Sequence, residues 1–390
     1  MTTAVGFSRE AMDGALRPSG PGRWDGYIPS PSAQNHAASL ARLPGGELAC
    51  VWFGGTMEGM PDISIHMSVF DEAEGRWSPA IKFTDDPARS EQNPLLHTAA
   101  DGAVWLLYTS QVTGNQETSI VRRRISHDGG KSFGAPHTLI DVPGTYIRPR
   151  IVTLPSGEML LPVFQCRKIP GESWTGNRDT SAVFRSPDGG KTWSAVSVPD
   201  SLGQVHMNIV TLGGSRMLAL FRSRWADFIH VSRSGDNGAS WSVPVPTDLP
   251  NNNSSIQCIR LDDGRLALVY NHSSAANAEG RRLSLYDEIE GDGSRQTAEP
   301  AGRQAFWGAP RAPMTLAFSA DNGRSWQVAG NLDEGDGYCL TNNSRDGLNR
   351  EFSYPAIHQS ADGVLHLAYT YFRQTIKYVR VSPDWTQAPS

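Results

Sequence analysis

The sequence has no apolar run that could cross a membrane and no segment typical of a secretory leader. Its start, Met1-Thr-Thr-Ala-Val-Gly6, has neither a basic region nor an apolar core. A membrane-spanning helix needs about 20 consecutive, mostly apolar residues. We therefore expect a cytoplasmic protein that has no membrane partner.

Cysteine is scarce, and positive charge is not in excess. The four cysteines lie far apart, without the close pairs that bind metals or form disulfide frameworks, which predicts buried reduced thiols, no metal site and no cofactor. The 35 Lys and Arg residues are outnumbered by 40 Asp and Glu, giving a net charge of −5. Nucleic-acid binding depends on basic patches, so we expect no nucleic-acid partner.

Glycine and tryptophan are plentiful, with 39 Gly and 11 Trp, and many of them belong to repeats. One pattern is an apolar stretch, a Gly turn and a second apolar stretch, which is typical of a β-hairpin. Its six copies span residues 43–48, 99–104, 154–159, 212–217, 261–266 and 360–365.

A second pattern, Ser-x-Asp-x-Gly-x-Ser/Thr-aromatic, follows most of these hairpins. In such a turn Asp and Ser accept backbone N–H bonds, Gly takes a positive φ, and the aromatic ring packs beneath. We therefore predict buried rings for Trp193, Trp241 and Trp326. The four complete copies are Ser126–Phe133, Ser186–Trp193, Ser234–Trp241 and Ser319–Trp326, with a degenerate copy at 71–77.

Two hairpins make a four-stranded blade, and six units of about 50–60 residues predict an all-β, six-bladed β-propeller. We expect one domain over 1–390, closed by an N-terminal strand near Ala4–Arg9 that pairs in the last blade. The polar tract 273–310 is too long for an ordinary connection, so it is interpreted as an insertion in the fifth blade.

Strand direction predicts which side chains share a face. If the Gly hairpins join strands A and B, and the Ser-x-Asp turns join C and D, then the starts of the A strands and the ends of the B strands meet at the opposite face. Convergent polar side chains at a propeller mouth are candidate site residues. They include His36, Arg148, Arg150, His206, Arg222, Glu351, Tyr354 and Arg373.

The Ser-x-Asp turns, Val51-Trp-Phe-Gly-Gly-Thr56, Asn93-Pro94 and Phe352-Ser-Tyr-Pro355 together resemble the bacterial sialidase-like propellers, described as predicted neuraminidases with BNR or Asp-box repeats. The resemblance covers nearly all blades. It implies a carbohydrate-active enzyme with a small oligosaccharide substrate. In this family the Asp-box is a structural turn, not a catalytic one.

Sialidases hold the substrate carboxylate with three Arg and use a Tyr–Glu nucleophile with an Asp acid/base. By position within the blades, the resemblance implies Arg222 and Arg311 as carboxylate ligands and Asp62 as the acid/base. Three other positions differ: His36 stands at the first Arg, His206 at the Glu, and Phe352 at the Tyr. Tyr354, two residues after Phe352, keeps the same strand face.

Three functions fit this set. The first is an exo-glycosidase on a terminal acidic sugar, with Arg148, Arg150 and Arg222 binding the carboxylate and Asp62 or Glu351 as acid or base. The second is a lyase that cleaves a uronate-linked sugar by β-elimination, in which His36 or His206, Tyr354 and Arg222 supply base, acid and cation. The third is a non-catalytic glycan-binding propeller. The sialidase-like motifs favour the first.

Overall fold

The structure, a computed structural model, describes residues 8–282, 285, 302–341 and 344–387. Within these ranges 27 strands and three short 3-10 helices are found, and the strands form six separate antiparallel sheets. The predicted all-β, six-bladed propeller is therefore confirmed. The 3-10 helices are Arg9–Ala11, Ala275–Asn277 and Ser344–Asp346.

The first three sheets each begin with an inner strand and run outward in chain order. Blade 1 contains β3 (Gln34–Arg42), β4 (Leu48–Gly55), β5 (Ser64–Asp71), β6 (Arg76–Trp77) and β7 (Ile81–Lys82). Blade 2 contains β8 (Arg89–Thr98), β9 (Val104–Val112), β10 (Asn115–Ser126) and β11 (His137–Ile140). Blade 3 contains β12 (Thr145–Ile147), β13 (Val152–Thr153), β14 (Met159–Gln165), β15 (Thr180–Ser186) and β16 (Ser194–Ser197).

The next two sheets repeat this order, and the sixth borrows its outer strands from the beginning of the chain. Blade 4 contains β17 (Gln204–Gly213), β18 (Arg216–Ser223), β19 (Phe228–Ser234) and β20 (Val245–Pro250). Blade 5 contains β21 (Gln257–Arg260), β22 (Leu266–Asn271), β23 (Met314–Ser319) and β24 (Gln327–Asp333). Blade 6 contains β25 (Phe352–Gln359), β26 (Leu365–Tyr371), β27 (Thr375–Val381), β2 (Arg23–Ile28) and β1 (Arg17–Gly20).

The ring is closed by the N-terminal part of the chain, but not by the segment predicted. Arg23–Ile28 pairs with β27, whereas Arg9 begins a 3-10 turn and residues 1–7 lie outside the described residues. Arg23–Ile28 was not predicted as a strand because it carries Arg, Asp and Gly among its apolar residues. Only Gly26 and Ile28 of this strand are fully buried, so it needs little apolar character.

The Asp-box turns have the predicted hydrogen bonds. In the first of them, Asp128 Oδ1 accepts bonds from the backbone N–H of Lys131 at 3.0 Å and of Ser132 at 2.9 Å. The Gly130 N–H donates to Ser126 Oγ over 2.8 Å. The aromatic rings beneath the turns differ in burial. Only Trp241 is fully buried, while Trp193 and Trp326 are half-buried at blade edges, so the prediction for those two is wrong.

The core is distributed between neighbouring blades. One apolar cluster, for example, joins Leu218 and Leu220 of blade 4 to Leu268 and Tyr270 of blade 5. All four cysteines are free and buried, as predicted. No helix in the described part of the chain is long and apolar enough to cross a membrane.

Candidate active site

The inner strands of several blades share a one-residue β-bulge, which changes the direction in which a side chain points. Strand register shifts beside Ala37, Asn93, His206 and Tyr354, and these four residues have φ between 50° and 63°. A positive φ costs a residue with a Cβ energy, and such bulges commonly re-aim side chains at functional sites. His206 and Tyr354 are the two large side chains held in this conformation.

Tyr354 lies at the centre of the candidate site. Its ring centroid is 4.2 Å from that of His36 and 5.5 Å from that of His206. Its hydroxyl oxygen accepts a hydrogen bond from Arg222 Nη1 over 2.6 Å. The structure thus brings together residues of blades 1, 4 and 6, and both imidazoles contact the Tyr354 ring.

Arg222 is a buried cation without a carboxylate partner among the described residues. It is 1% exposed, and its Nε donates to Asn253 Oδ1 over 2.7 Å. Burial lowers the pKa of Arg222 to about 9, so the guanidinium is charged at neutral pH. A buried charge is costly unless it is paired. An anionic ligand would supply the missing partner.

Both imidazoles are neutral at neutral pH. Burial, together with the positive charges of nearby arginines, holds the pKa of His36 and of His206 well below the ordinary value. His206 Nε2 lies 3.4 Å from Arg222 Nη1, and because a guanidinium can only donate, this nitrogen must accept and the His206 proton is on Nδ1. The lone pair of His206 is therefore occupied.

His36 has a free ring nitrogen. Its Nδ1 lies 2.8 Å from Thr370 Oγ1, whereas its buried Nε2 has no hydrogen-bond partner. If Nδ1 carries the proton and donates to Thr370, the lone pair of the buried Nε2 accepts no hydrogen bond from a described residue. His36 is then the better placed base of the two.

Glu351, Arg311 and Arg373 belong to one buried ionic network. Glu351 accepts from Arg311 Nη1 over 2.8 Å and also from Arg373 Nε, while Arg373 Nη1 donates to Glu58 over 2.7 Å. Burial would raise the pKa of Glu351, but the two arginines outweigh it and the pKa is lowered. The four charges therefore balance one another within the protein.

Arg148 and Arg150 also bind protein groups. Arg148 Nη2 donates to the backbone oxygens of Ala38 at 2.9 Å and of Tyr354 at 3.0 Å, and so braces the bulge that carries Tyr354. Arg150 donates to the Ile357 carbonyl. Burial lowers the pKa of both guanidinium groups to about 10. Both hold blades together across the central channel.

Asp62 lies apart from this cluster. It is exposed, and its carboxylate accepts bonds from the Thr56 N–H at 2.8 Å and the Thr56 hydroxyl at 2.9 Å. Its hydrogen bonds remain within the β4–β5 loop. The acid that this loop sends inward is Glu58, which is buried against Arg373.

Part of the 273–310 segment covers the site. We call its described end, residues 302–310, the arm. Trp307 of the arm has its ring centroid 5.9 Å from the Arg222 guanidinium and 5.0 Å from that of Arg224, and lies 5.6 Å from the Trp174 ring. Beneath it, Arg224 pairs with buried Asp179 at 2.7 Å. The arm and the β14–β15 loop thus cover the anion site.

Three residues of the site were not predicted from the sequence: Glu58, Asp179 and Trp307. Glu58 stands in the same loop as Asp62, but nothing in the local pattern says which acid points inward. Asn253 belongs to the polar start of blade 5, residues 251–255, which strand direction does place at this face. Within the described ranges, no group of three His, Cys, Asp or Glu residues could hold a metal ion.

Comparison with known proteins gives the fold and the family. The chain resembles the Hadza microbial sialidase Hz136 at 14% identity and a TM-score of 0.64, covering 90% of this chain and 66% of that one. It also resembles a Dyadobacter fermentans protein of unknown function at 17% identity and a TM-score of 0.63, covering 93% and 99%. A third similar structure is the intramolecular trans-sialidase of Ruminococcus gnavus, at 11% identity and a TM-score of 0.62, covering 92% and 96%.

At these identities the likeness shows a shared fold. The chain spans just under two thirds of the length of Hz136. The family model described as a BNR repeat-like domain matches residues 46–367, which is more than half of the chain. The protein belongs to the BNR repeat-like family of sialidase-like propellers.

Proposed function

We propose that this protein is a lyase that cleaves a uronate-containing glycan by β-elimination at Tyr354. The observation that carries the proposal is that the Tyr354 hydroxyl accepts a bond from Arg222 over 2.6 Å while the Tyr354 ring contacts two neutral imidazoles. The substrate carboxylate would form an ion pair with Arg222, which has no carboxylate partner among the described residues. A forked guanidinium suits a carboxylate in geometry and in charge.

Each residue has a task in this reaction. His36 Nε2 takes the proton from the carbon next to the carboxylate. The electron pair left behind forms a carbon–carbon double bond as the bond from the neighbouring carbon to the leaving oxygen breaks. The Tyr354 hydroxyl protonates that oxygen. Because Arg222 donates to the phenol oxygen, and no described residue accepts the hydroxyl hydrogen, that hydrogen is available for transfer.

Hydrolysis of a terminal acidic sugar is the second candidate. The likeness to sialidase structures and the position of Asp62 in the blade 1 loop favour it. Against it, a tyrosine nucleophile needs a basic partner, and Glu351 is bonded to two arginines instead. Asp62 would also have to leave Thr56.

A purely glycan-binding role has less support. A binding site needs no acid and base. Here the Tyr354 hydroxyl hydrogen and His36 Nε2, neither of them bonded to a described residue, lie beside the buried Arg222 cation. A proton donor and a proton acceptor grouped around a charge are more typical of a catalytic site.

The test is incubation with uronate oligosaccharides and sialosides, followed by ultraviolet absorbance and mass spectrometry. Elimination gives an absorbing unsaturated product with no added water, whereas hydrolysis adds one water and gives no new absorbance. Tyr354→Phe and His36→Gln should each lower turnover by about 100-fold or more, the usual size of a general acid or base contribution. His127→Gln, at an exposed histidine of an Asp-box turn, is the matched control. Products that carry water would contradict the proposal.

A further inference from the structure

Three consecutive asparagines, Asn251–Asn253, precede β21 and take no part in the proposed chemistry. All three are buried. Asn251 Oδ1 accepts bonds from the backbone N–H of Ser223 at 2.9 Å and of Asn253 at 3.1 Å. This holds the run against the end of β18, the strand that carries Arg222. The run therefore lies between the anion site and the arm.

The side-chain amide of Asn253 connects these two parts of the site. Its Oδ1 accepts from Arg222 Nε over 2.7 Å, and its Nδ2 donates to the Phe306 carbonyl of the arm over 2.9 Å. A guanidinium can only donate and a carbonyl can only accept, so the amide has one possible orientation. A carboxylate could accept from Arg222 but could not donate to the Phe306 carbonyl.

Asn253 also determines which nitrogen of the Arg222 guanidinium remains free to bind a ligand. Arg222 Nε is bonded to Asn253, and Nη1 is bonded to Tyr354. Nη2 makes no hydrogen bond to any described residue. The amide thus fixes the rotation of the guanidinium about its side chain and leaves the Nη2 end for a ligand.

The neighbouring Asn252 provides a natural comparison. Its Nδ2 donates to the Pro310 carbonyl over 2.7 Å, at the end of the arm, and it makes no bond to Arg222. Other bonds also hold the arm, among them the Phe306 N–H to the Arg224 carbonyl at 2.8 Å and the Ala305 N–H to Asn177 Oδ1 at 2.7 Å. Both asparagines hold the arm, but only Asn253 also holds Arg222.

We propose that Asn253 is the positioning residue of the anion site, and that it couples the docking of the arm to the orientation of Arg222. The carboxylate of the substrate therefore meets a correctly turned guanidinium only when the arm is in place. The choice of a carboxylate as ligand rests on the proposed function. The link between Arg222 and the arm does not.

The experiment compares wild type with Asn253→Ala, Asn253→Asp and Asn252→Ala in the full chain. The Arg222 Nε–H resonance is followed in 15N-arginine-labelled protein and assigned by its loss in Arg222→Lys. Docking of the arm is followed by the rate of tryptic cleavage after Arg303, an exposed residue at its start. Affinity for D-glucuronate is followed by tryptophan fluorescence, because Trp174 and Trp307 border the site.

Asn253→Ala should shift the Arg222 resonance, speed cleavage after Arg303 and weaken glucuronate binding at least tenfold. Asn253→Asp should keep a bonded Arg222 Nε–H, because one carboxylate oxygen still accepts. The same variant should release the arm, because the second carboxylate oxygen is repelled by the Phe306 carbonyl oxygen. It should also abolish glucuronate binding, because the new carboxylate neutralises Arg222. Asn tolerates the φ of 56° at this position, as does Asp, so this variant separates chemistry from backbone strain.

Asn252→Ala should speed cleavage after Arg303, and, because it loosens the arm but keeps the bonds of Asn253, it should shift the Arg222 resonance and weaken glucuronate binding clearly less than Asn253→Ala does. An unchanged Arg222 resonance in Asn253→Ala would overturn the inference, as would an Asn252→Ala variant that reproduces every effect of Asn253→Ala. If wild type binds no glucuronate but the resonance and cleavage respond as expected, the proposed substrate is wrong and the positioning role stands.

Discussion

Arg222 and Tyr354 are 132 residues apart in sequence, yet Arg222 Nη1 donates to the Tyr354 hydroxyl over 2.6 Å. The two come from blades 4 and 6. No carboxylate among the described residues neutralises the arginine, and no described group accepts the tyrosine hydrogen. Arg222 can therefore bind the carboxylate of an anionic substrate. The Tyr354 hydroxyl can donate its hydrogen to the leaving oxygen of that substrate.

Arg222→Met should abolish turnover while changing the free energy of unfolding by no more than about 1 kcal/mol. Removing a buried charge that has no carboxylate partner relieves its desolvation cost, which offsets the hydrogen bonds lost by Asn253 and Tyr354. Arg222→Lys should also lose most activity, because an ammonium group lacks the forked geometry. Denaturant unfolding and turnover measured on the same samples check both. A large loss of stability in Arg222→Met would mean that the guanidinium is structural.

Unlike Arg222→Met, Glu351→Gln should destabilise the protein, by about 3–5 kcal/mol. Removing this charge leaves Arg311 buried without a carboxylate partner among the described residues, and Arg373 paired with Glu58 alone. Urea unfolding measures the change. As a control, Glu158→Gln breaks the more exposed pair with Arg185 and should cost about 1 kcal/mol or less. Equal effects of the two changes would contradict the proposed network.

The propeller could be predicted because its signals are local and repeated. Each Asp-box places Ser, Asp and Gly within a few residues, and the bonds of Asp128 to its own turn depend on nothing distant. The closing strand was placed wrongly, because Arg23–Ile28 takes its register from β27, more than 340 positions later in the chain. Closure of a ring is a long-range property with a weak local signal.

The site could be predicted only in part, for a similar reason. Strand direction brings His36, His206 and Tyr354 to one face, and this requires only the order of strands. The partner of each charge depends on side-chain geometry across blades, so Glu351 was interpreted as an acid or base although Arg311 and Arg373 hold it. A polar residue at the mouth can bind substrate or bind its neighbours, and spacing does not distinguish the two.

Trp241→Ala should lower the free energy of unfolding by about 3–5 kcal/mol, since a large buried ring is removed from beneath an Asp-box. Turnover per folded molecule should be unchanged, because this turn lies on the face opposite the site. Trp193→Ala, at a half-buried ring in the equivalent turn, should cost less. Calorimetry and turnover on both variants test this. A selective loss of activity in Trp241→Ala would give the turn a functional role.

The two neutral imidazoles predict how activity depends on pH. His36 must be unprotonated to act as a base, and its pKa is well below the ordinary value of about 6.5. Activity should therefore be maintained as pH falls through 6.5 and decline only at lower pH. The pH dependence of kcat/KM reports the free enzyme and is the quantity to measure. A decline centred near pH 6.5 would show that the base is an exposed histidine instead.

The same shift predicts that folding stability decreases in acid. Unfolded histidine binds a proton below pH 6.5, whereas folded His206 does not until a much lower pH. The unfolded state then holds more protons, so stability is complete above pH 6.5 and is lost as pH falls below it. Each such histidine contributes a slope of about 1.4 kcal/mol per pH unit.

His206→Asn should remove one such contribution, and Asn suits the φ of 53° at this position. Between pH 6.5 and 5 the variant should therefore lose about 2 kcal/mol less stability than wild type. His127→Asn, on an exposed turn, is measured alongside as the control. Urea unfolding at a series of pH values measures all three proteins. If His206→Asn keeps the full acid slope, His206 is already protonated in the folded protein, and its Nε2 cannot accept from Arg222.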